Sequence, residues 1–341
     1  MTTWYSNPAA RSWSAAAPGP TARPFHESLP GYRRTPLVSL PSLAAELGVG
    51  RVLVKDESSR LGLPAFKVLG ASWACKQVLD GSPDAVLVTA TDGNHGRAVA
   101  RMAKHFGTTA TVFVPAVMLR HTAGLIESEG AQVVWVDGTY DDAVRAAARH
   151  AGEDPSRELV QDTAWPGYEE VPGWIVDGYE TLLDEVDEEL GQAPDLVAVP
   201  VGVGSLAQAV VAHYRRPGRG RPAVLSVEPD TAACVLASLA NGAPTSVETA
   251  DTAMAGLNCG TISSAAWPLL RDGCDHAVAV TDTEALRASA DLRALGVESG
   301  PCGAATLAGI RSVVDDPTRR DQLDLPDDAV VVLLSTEGLP S

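Results

Sequence analysis

Lys67 stands in Ala65-Phe66-Lys67-Val68-Leu69-Gly70-Ala71, between apolar neighbours at the start of an apparent helix. Desolvation of such an amine lowers its pKa and frees the neutral form to make a Schiff base with a carbonyl compound. Taken alone, the segment reads more simply as a lysine that snorkels from a helix face. A second segment, Thr89-Ala90-Thr91-Asp92-Gly93-Asn94-His95-Gly96, is a small-residue turn between a strand and a helix. Its backbone N–H groups, with the helix dipole behind them, can hold a carboxylate or phosphate, and Asn94 offers an amide to a neighbouring oxygen. Asp92 and Asn94 are equally ordinary capping and turn residues, and a lone histidine such as His95 at a helix start reads first as a packing residue.

The third segment is Val199-Pro200-Val201-Gly202-Val203-Gly204-Ser205-Leu206-Ala207, a strand-to-helix turn whose glycines let a phosphate approach the backbone. Gly202-x-Gly204-x-x-Ala207 also fits the dinucleotide fingerprint, and Glu228 lies 24 residues beyond Gly204, where a ribose-binding acid would stand. Any phosphate ester asks for the same turn, so the loop says phosphate before it says NAD. The fourth, Val331-Val332-Leu333-Leu334-Ser335-Thr336-Glu337-Gly338, is an apolar strand that ends abruptly in hydroxyls.

These segments need an α/β frame to hold them. Strands are expected over 51–55, 85–89, 110–114, 132–136, 196–200, 223–228, 277–280 and 329–334, and helices over 43–47, 96–106, 120–128, 140–151, 175–190, 282–295 and 304–314, with another after Gly204. Short apolar strands separated by amphipathic helices are the pattern of parallel βαβ units, and two blocks of them imply two lobes. Residues 1–35, rich in Pro, Ala, Ser and Arg without a period, are expected to form an extended arm laid over a domain or to be partly disordered.

The chain has 341 residues, enough for two domains or one large unit. With 43 Asp and Glu against 26 Lys and Arg its formal charge is −17, which disfavours nucleic acid or an anionic membrane as partner. The most apolar stretch, 196–212, is interrupted by Pro200, Gly202, Gly204 and Gln208 and falls short of a membrane span, and the N-terminus lacks the apolar run of a signal peptide. Five cysteines without regular spacing favour a reducing compartment, so a soluble cytoplasmic protein is expected. Cys259, Cys274 and His276 lack a zinc spacing, and no metal is expected. Cys302, in Glu298-Ser299-Gly300-Pro301-Cys302-Gly303, has no visible base to make it a nucleophile.

Taken in order, the four segments resemble the fold type II (tryptophan synthase β-like) pyridoxal phosphate enzymes. Within that group the sequence is most similar to the diaminopropionate ammonia-lyases, through Arg60-Leu61-Gly62-Leu63-Pro64-Ala65-Phe66-Lys67, Thr91-Asp92-Gly93-Asn94-His95-Gly96, Gln161-Asp162-Thr163-Ala164-Trp165, Met254-Ala255-Gly256-Leu257-Asn258-Cys259-Gly260 and Ser335-Thr336-Glu337-Gly338. The resemblance implies a two-lobed α/β fold, each lobe a mostly parallel sheet flanked by helices. Residues 1–69 and 153–341 would form the large cofactor-binding lobe and 70–152 a small mobile lobe, in a homodimer. Lys67 is then the Schiff-base lysine for pyridoxal 5'-phosphate, Asn94 meets the cofactor's phenolic oxygen, Gly202, Val203, Gly204, Ser205, Leu206 and Ala207 hold its phosphate, and Ser335 faces the pyridine nitrogen. A hydroxyl there leaves that nitrogen largely unprotonated and favours elimination over transamination.

By the same resemblance Thr91, Gly93, Asn94 and His95 take the substrate carboxylate. Asp92 stands where the serine and threonine dehydratases usually have a serine or another small residue. With Asp162 it adds carboxylates that attract a β-ammonium and a second base beside Lys67. The implied reaction is α,β-elimination of 2,3-diaminopropionate to pyruvate and two ammonia. A serine or threonine dehydratase is the alternative, with an NAD-dependent oxidoreductase or a non-catalytic binding protein more remote. The chain runs only three residues past Gly338, so fewer loops are expected around the substrate pocket than in related lyases.

Overall fold

The structure, a computed structural model, describes residues 3–15, 19, 21–91 and 93–339. Its strands are β1 (Trp4–Ser6), β2 (Leu37–Ser39), β3 (Arg51–Asp56), β4 (Val86–Ala90), β5 (Ala110–Pro115), β6 (Gln132–Val136), β7 (Arg157–Leu159), β8 (Leu196–Pro200), β9 (Ala223–Pro229), β10 (His276–Val280) and β11 (Val330–Ser335). They form two sheets, a seven-stranded one ordered β1-β10-β9-β8-β11-β3-β2 and a four-stranded one ordered β6-β5-β4-β7. The inner five strands of the first sheet are parallel, β1 and β2 run antiparallel at its edges, and the second sheet is parallel throughout. Strands such as Val-Val-Val-Leu-Leu-Ser of β11 are buried along their whole length, which is why they read as continuous apolar runs.

The α/β expectation holds, as do the strand and helix positions over most of the chain. The described part of the N-terminal arm lies against the fold and adds short regular elements that the sequence does not predict. β1 pairs with the edge of β10, the Trp4 ring stacks on His276 at 5.2 Å, and the helix Arg23–Ser28 buries His26, whose ring nitrogens meet the Thr181 hydroxyl at 2.7 Å and the Leu69 carbonyl at 2.9 Å. A three-residue strand has no period to read; tertiary contacts, which also cover the sheet edge, make it. β7 likewise joins the smaller sheet from beyond residue 152, where the sequence places the edge of the small lobe.

Two helices set the position of Lys67. The helix Lys67–Gly81 crosses Glu170–Leu190 where Gly70 faces Gly178: a Cβ on Gly70 would meet Tyr179 at 2.6 Å and the Ile175 carbonyl at 2.7 Å, and one on Gly178 would meet the Leu69 carbonyl at 2.6 Å. The glycines are there because the backbones touch. The loop between β3 and Lys67 is anchored by a buried cluster in which Arg60 pairs with Glu57 (2.6 Å) and Glu185 (2.7 Å), and Lys55 pairs with Glu185 (2.6 Å). The two cations and two anions balance, and the Thr35 hydroxyl and carbonyl satisfy further positions at 2.6 and 2.9 Å.

Candidate active site

The chemistry-bearing loops leave the C-terminal ends of parallel strands, where α/β sheets gather ligands. In the large sheet β3, β11 and β8 are neighbours; they deliver the Lys67 loop, the segment from Ser335 to Gly338, and the glycine turn. From the small sheet, β4 delivers Asn94 and β7 leads directly into Asp162. Lys67, Asn94, Asp162 and residues 200–206 all line one cavity. Asp92 lies outside the described residues.

Lys67 Nζ donates to Asp162 Oδ2 at 2.6 Å, with the lysine side chain 23% exposed and the carboxylate only 6%. Burial pushes the Asp162 carboxyl up, but the Lys67 charge opposes it and holds the group well below the usual carboxylate range. Its other oxygen, Oδ1, accepts from the Gln161 amide at 3.1 Å, and that amide also donates to the Tyr140 hydroxyl at 2.9 Å.

His95 sits behind this pair. Its Nε2 bonds the Val160 carbonyl at 2.9 Å, so Nε2 carries the proton, and Nδ1 lies 4.0 Å from Asp162 with no hydrogen-bond partner among the described residues. Burial pushes the imidazole pKa down, which keeps it neutral. Thr91 is equally withdrawn, its hydroxyl accepting from the N–H groups of Gly93 (2.8 Å) and Gly96 (3.0 Å). Neither lines the cavity, whereas Asn94 does, and Gly93 lines the cleft next to it.

The glycine turn is shaped as an anion cradle. The helix Ser205–Tyr214 starts without a side-chain cap, so its first-turn N–H groups face the turn without helical partners. Gly204 takes φ +102°, and a Cβ on Gly202 would meet Cys259 Sγ at 3.1 Å and the Gly256 carbonyl at 3.3 Å. The Ser205 hydroxyl donates to the Asp162 carbonyl at 2.7 Å and so ties the cradle to the Lys67–Asp162 pair. Ala207 is fully buried, one turn behind the lining. Ser335 is also buried behind the wall, its hydroxyl 2.7 Å from that of Ser299, while the next residues, Thr336 and Glu337, do line the cavity.

Sequence reasoning gave no role to Glu337, Tyr140 or Ser299. Glu337 accepts from the Asn94 amide at 3.0 Å, and burial pushes its carboxyl pKa up. A charged residue directly after an apolar strand was the available signal. Glu228 does not serve as a ribose ligand: fully buried, it accepts from the N–H groups of Val235 (2.8 Å) and Leu236 (2.7 Å) and caps the helix Cys234–Asn241. Among the described residues no group of three or more His, Cys, Asp or Glu side chains is placed to hold a metal ion, and no helix is long and apolar enough to cross a membrane.

An amine, an uncapped helix N-terminus with a glycine cradle and an amide donor in one cavity fit an aldehyde-bearing phosphate ester. Comparison with known proteins agrees. The family model for pyridoxal-phosphate dependent enzyme matches residues 28–337. The diaminopropionate ammonia-lyase of Escherichia coli K12 is 37% identical over 350 residues, covering 93% of this chain and 87% of that protein. The crystal structure of the E. coli diaminopropionate ammonia lyase in complex with D-serine superposes with a TM-score of 0.86 at 34% identity, covering 98% of this chain and 93% of that one. The same enzyme in complex with an aminoacrylate-PLP azomethine reaction intermediate gives 0.83 at 35% identity, covering 98% and 91%. The chain belongs to the pyridoxal-phosphate dependent enzymes and, among them, to the family of the diaminopropionate ammonia-lyases.

Proposed function

We propose that this protein is a pyridoxal phosphate-dependent ammonia-lyase that converts 2,3-diaminopropionate to pyruvate and two ammonia. The observation that carries the reading is one cavity holding both the Lys67 amine, 2.6 Å from Asp162, and the glycine cradle after β8. Lys67 would hold the cofactor's carbon, the N–H groups of Gly202, Val203, Gly204, Ser205 and Leu206 its phosphate with Ala207 packed beneath, and Asn94 its phenolic oxygen, with Ser335 on the pyridine side. Bound there, the cofactor supplies an electron sink that acidifies the substrate's Cα–H.

The chain's own residues do the rest. Asp162, 2.6 Å from the Lys67 Nζ, orients that amine and, once the substrate amine has displaced the lysine, would be one base for the substrate's Cα proton; Lys67 is the other base. Asp92 is a further base proposed from its place in the sequence. Thr91 shapes the turn that presents Gly93 and Asn94 to the substrate carboxylate, and His95, held by the Val160 carbonyl, packs behind Asp162 and fixes the wall on that side of the pocket. Loss of the β-amine leaves an enamine whose release and hydrolysis give pyruvate and the second ammonia.

The division of the chain into a large lobe (1–69 and 153–341) and a small mobile lobe (70–152, with β7 added to its sheet), the homodimer and the cytoplasmic location also belong to this reading. It is supported by the resemblance and by the buried thiols of Cys75, Cys234 and Cys274. The test is product stoichiometry: the holoenzyme with 2,3-diaminopropionate releases one pyruvate and two ammonia, and release of ammonia without pyruvate defeats the reading.

A further inference from the structure

Glu337 occupies a singular place in the site. It is the carboxylate in the wall shared by the Lys67 cavity and the larger outer cleft that also reaches Gly93, Arg97 and Leu119. Its backbone is fixed on three sides: a β-bridge joins it to Ala65, the Gly300 N–H donates to its carbonyl at 3.0 Å, and the next residue's N–H donates to the Pro64 carbonyl at 2.9 Å. The side chain therefore leaves a rigid frame shared with the Lys67 loop.

Asp162, the other carboxylate of the described cavity wall, is committed to Lys67 at 2.6 Å and to the Gln161 amide at 3.1 Å. The direct hydrogen-bond partners of Glu337 are neutral: it accepts from the Asn94 amide at 3.0 Å and meets the Cys302 thiol, while the Lys67 charge, already paired with Asp162, acts on it from farther off. A partly buried carboxylate whose direct hydrogen-bond donors are neutral gains from an incoming cation that can pair with it at contact distance. Through Asn94 it also lies one amide away from the place assigned to the cofactor's phenolic oxygen.

We propose that Glu337 is the specificity-determining residue of this site, its carboxylate pairing with the β-ammonium of the substrate. The inference rests on the functional reading above. A substrate ammonium entering from the outer cleft meets Glu337 before it meets Lys67, and a bound carboxylate next to Cβ keeps the departing nitrogen protonated and therefore a good leaving group. Serine and β-chloroalanine, which carry no β-ammonium, draw nothing from that charge.

The test is Glu337→Gln, which keeps the volume and the acceptor for Asn94 and removes the charge, in the holoenzyme. The expected loss in kcat/KM for 2,3-diaminopropionate is on the order of 10- to 100-fold, the worth of one charge-assisted hydrogen bond, with most of it in KM. For β-chloroalanine the change stays within about threefold, and the visible absorption of the bound cofactor is unchanged. Glu337→Asp, which keeps the charge but draws it back by one methylene, recovers part of the diaminopropionate activity. Equal losses on both substrates, or loss of cofactor binding, overturn the proposal and make Glu337 structural. A wild-type enzyme that eliminates chloride from β-chloroalanine yet leaves diaminopropionate untouched overturns the functional reading, and this proposal with it.

Discussion

Lys67 and Asp162 meet at 2.6 Å although they come from different sheets, the first from the loop after β3 and the second from the end of β7. The pair therefore reports whether the two sheets are correctly seated. It also divides labour, because the cradle and Asn94 position a ligand without it. Asp162→Asn should leave cofactor bound but lower kcat by about 10²-fold or more, the usual contribution of a positioned acid–base group. Steady-state kinetics beside the visible spectrum check this, and an unchanged kcat would remove Asp162 from the chemistry.

The glycine contact beneath Lys67 makes a packing prediction. Gly70→Ala puts a methyl 2.6 Å from Tyr179 and 2.7 Å from the Ile175 carbonyl, both on the buried face of the facing helix. Overpacking of this kind costs about 1–3 kcal/mol and moves Lys67 with its helix. Thermal unfolding should show the loss, and kcat should fall although no reacting group has changed.

Much of this site was legible because its chemistry lies in short contiguous segments. Lys67, Asn94 and the turn from Gly202 to Leu206 are recognisable from neighbours in the chain, since each sits where a strand becomes a helix. The facing of Gly70 and Gly178, the Ser335–Ser299 contact and the bond from Asn94 to Glu337 join residues far apart in sequence, and no local period encodes them. The same limit hides β1 and β7, three-residue strands made by their partners. Thr91 and His95 show the converse. Their motif is plain in the sequence, but which side chains turn inward is decided by the Gly93 and Gly96 N–H groups and by the Val160 carbonyl.

The cradle itself is open to a single substitution. Gly204 holds φ +102°, a region that costs an L-residue about 1–2 kcal/mol, and a Cβ there would press on Ala266 and Leu270 at 3.1 Å. Gly204→Ala should weaken binding of pyridoxal phosphate, read by fluorescence titration of the apoenzyme. It should weaken binding of pyridoxal without its phosphate far less.

The buried cluster around Glu185 gives a pH dependence of stability. Burial pushes the Glu185 carboxyl up, but Arg60 and Lys55 outweigh it and bring the pKa down from 4.5 to about 2. A depressed pKa stabilises the fold above the unfolded value and loses that stabilisation as pH falls through the folded one. Glu185→Gln leaves two buried cations short of a partner and should cost about 3–5 kcal/mol at neutral pH. The gap between wild type and variant in urea unfolding should narrow as pH falls from about 4.5 toward 2. A gap constant over that range would show that Glu185 is not ionised in the fold.

The most direct test of the central claim is a pyruvate-release assay of the wild-type holoenzyme across D- and L-2,3-diaminopropionate, serine and threonine, with the 2-oxobutyrate from threonine counted alongside. The account predicts that a diaminopropionate enantiomer has the highest kcat/KM, at least about tenfold above either hydroxy amino acid, as a charge-selective site requires. Turnover of serine and threonine with none of either diaminopropionate would contradict it, leaving a dehydratase on the same fold.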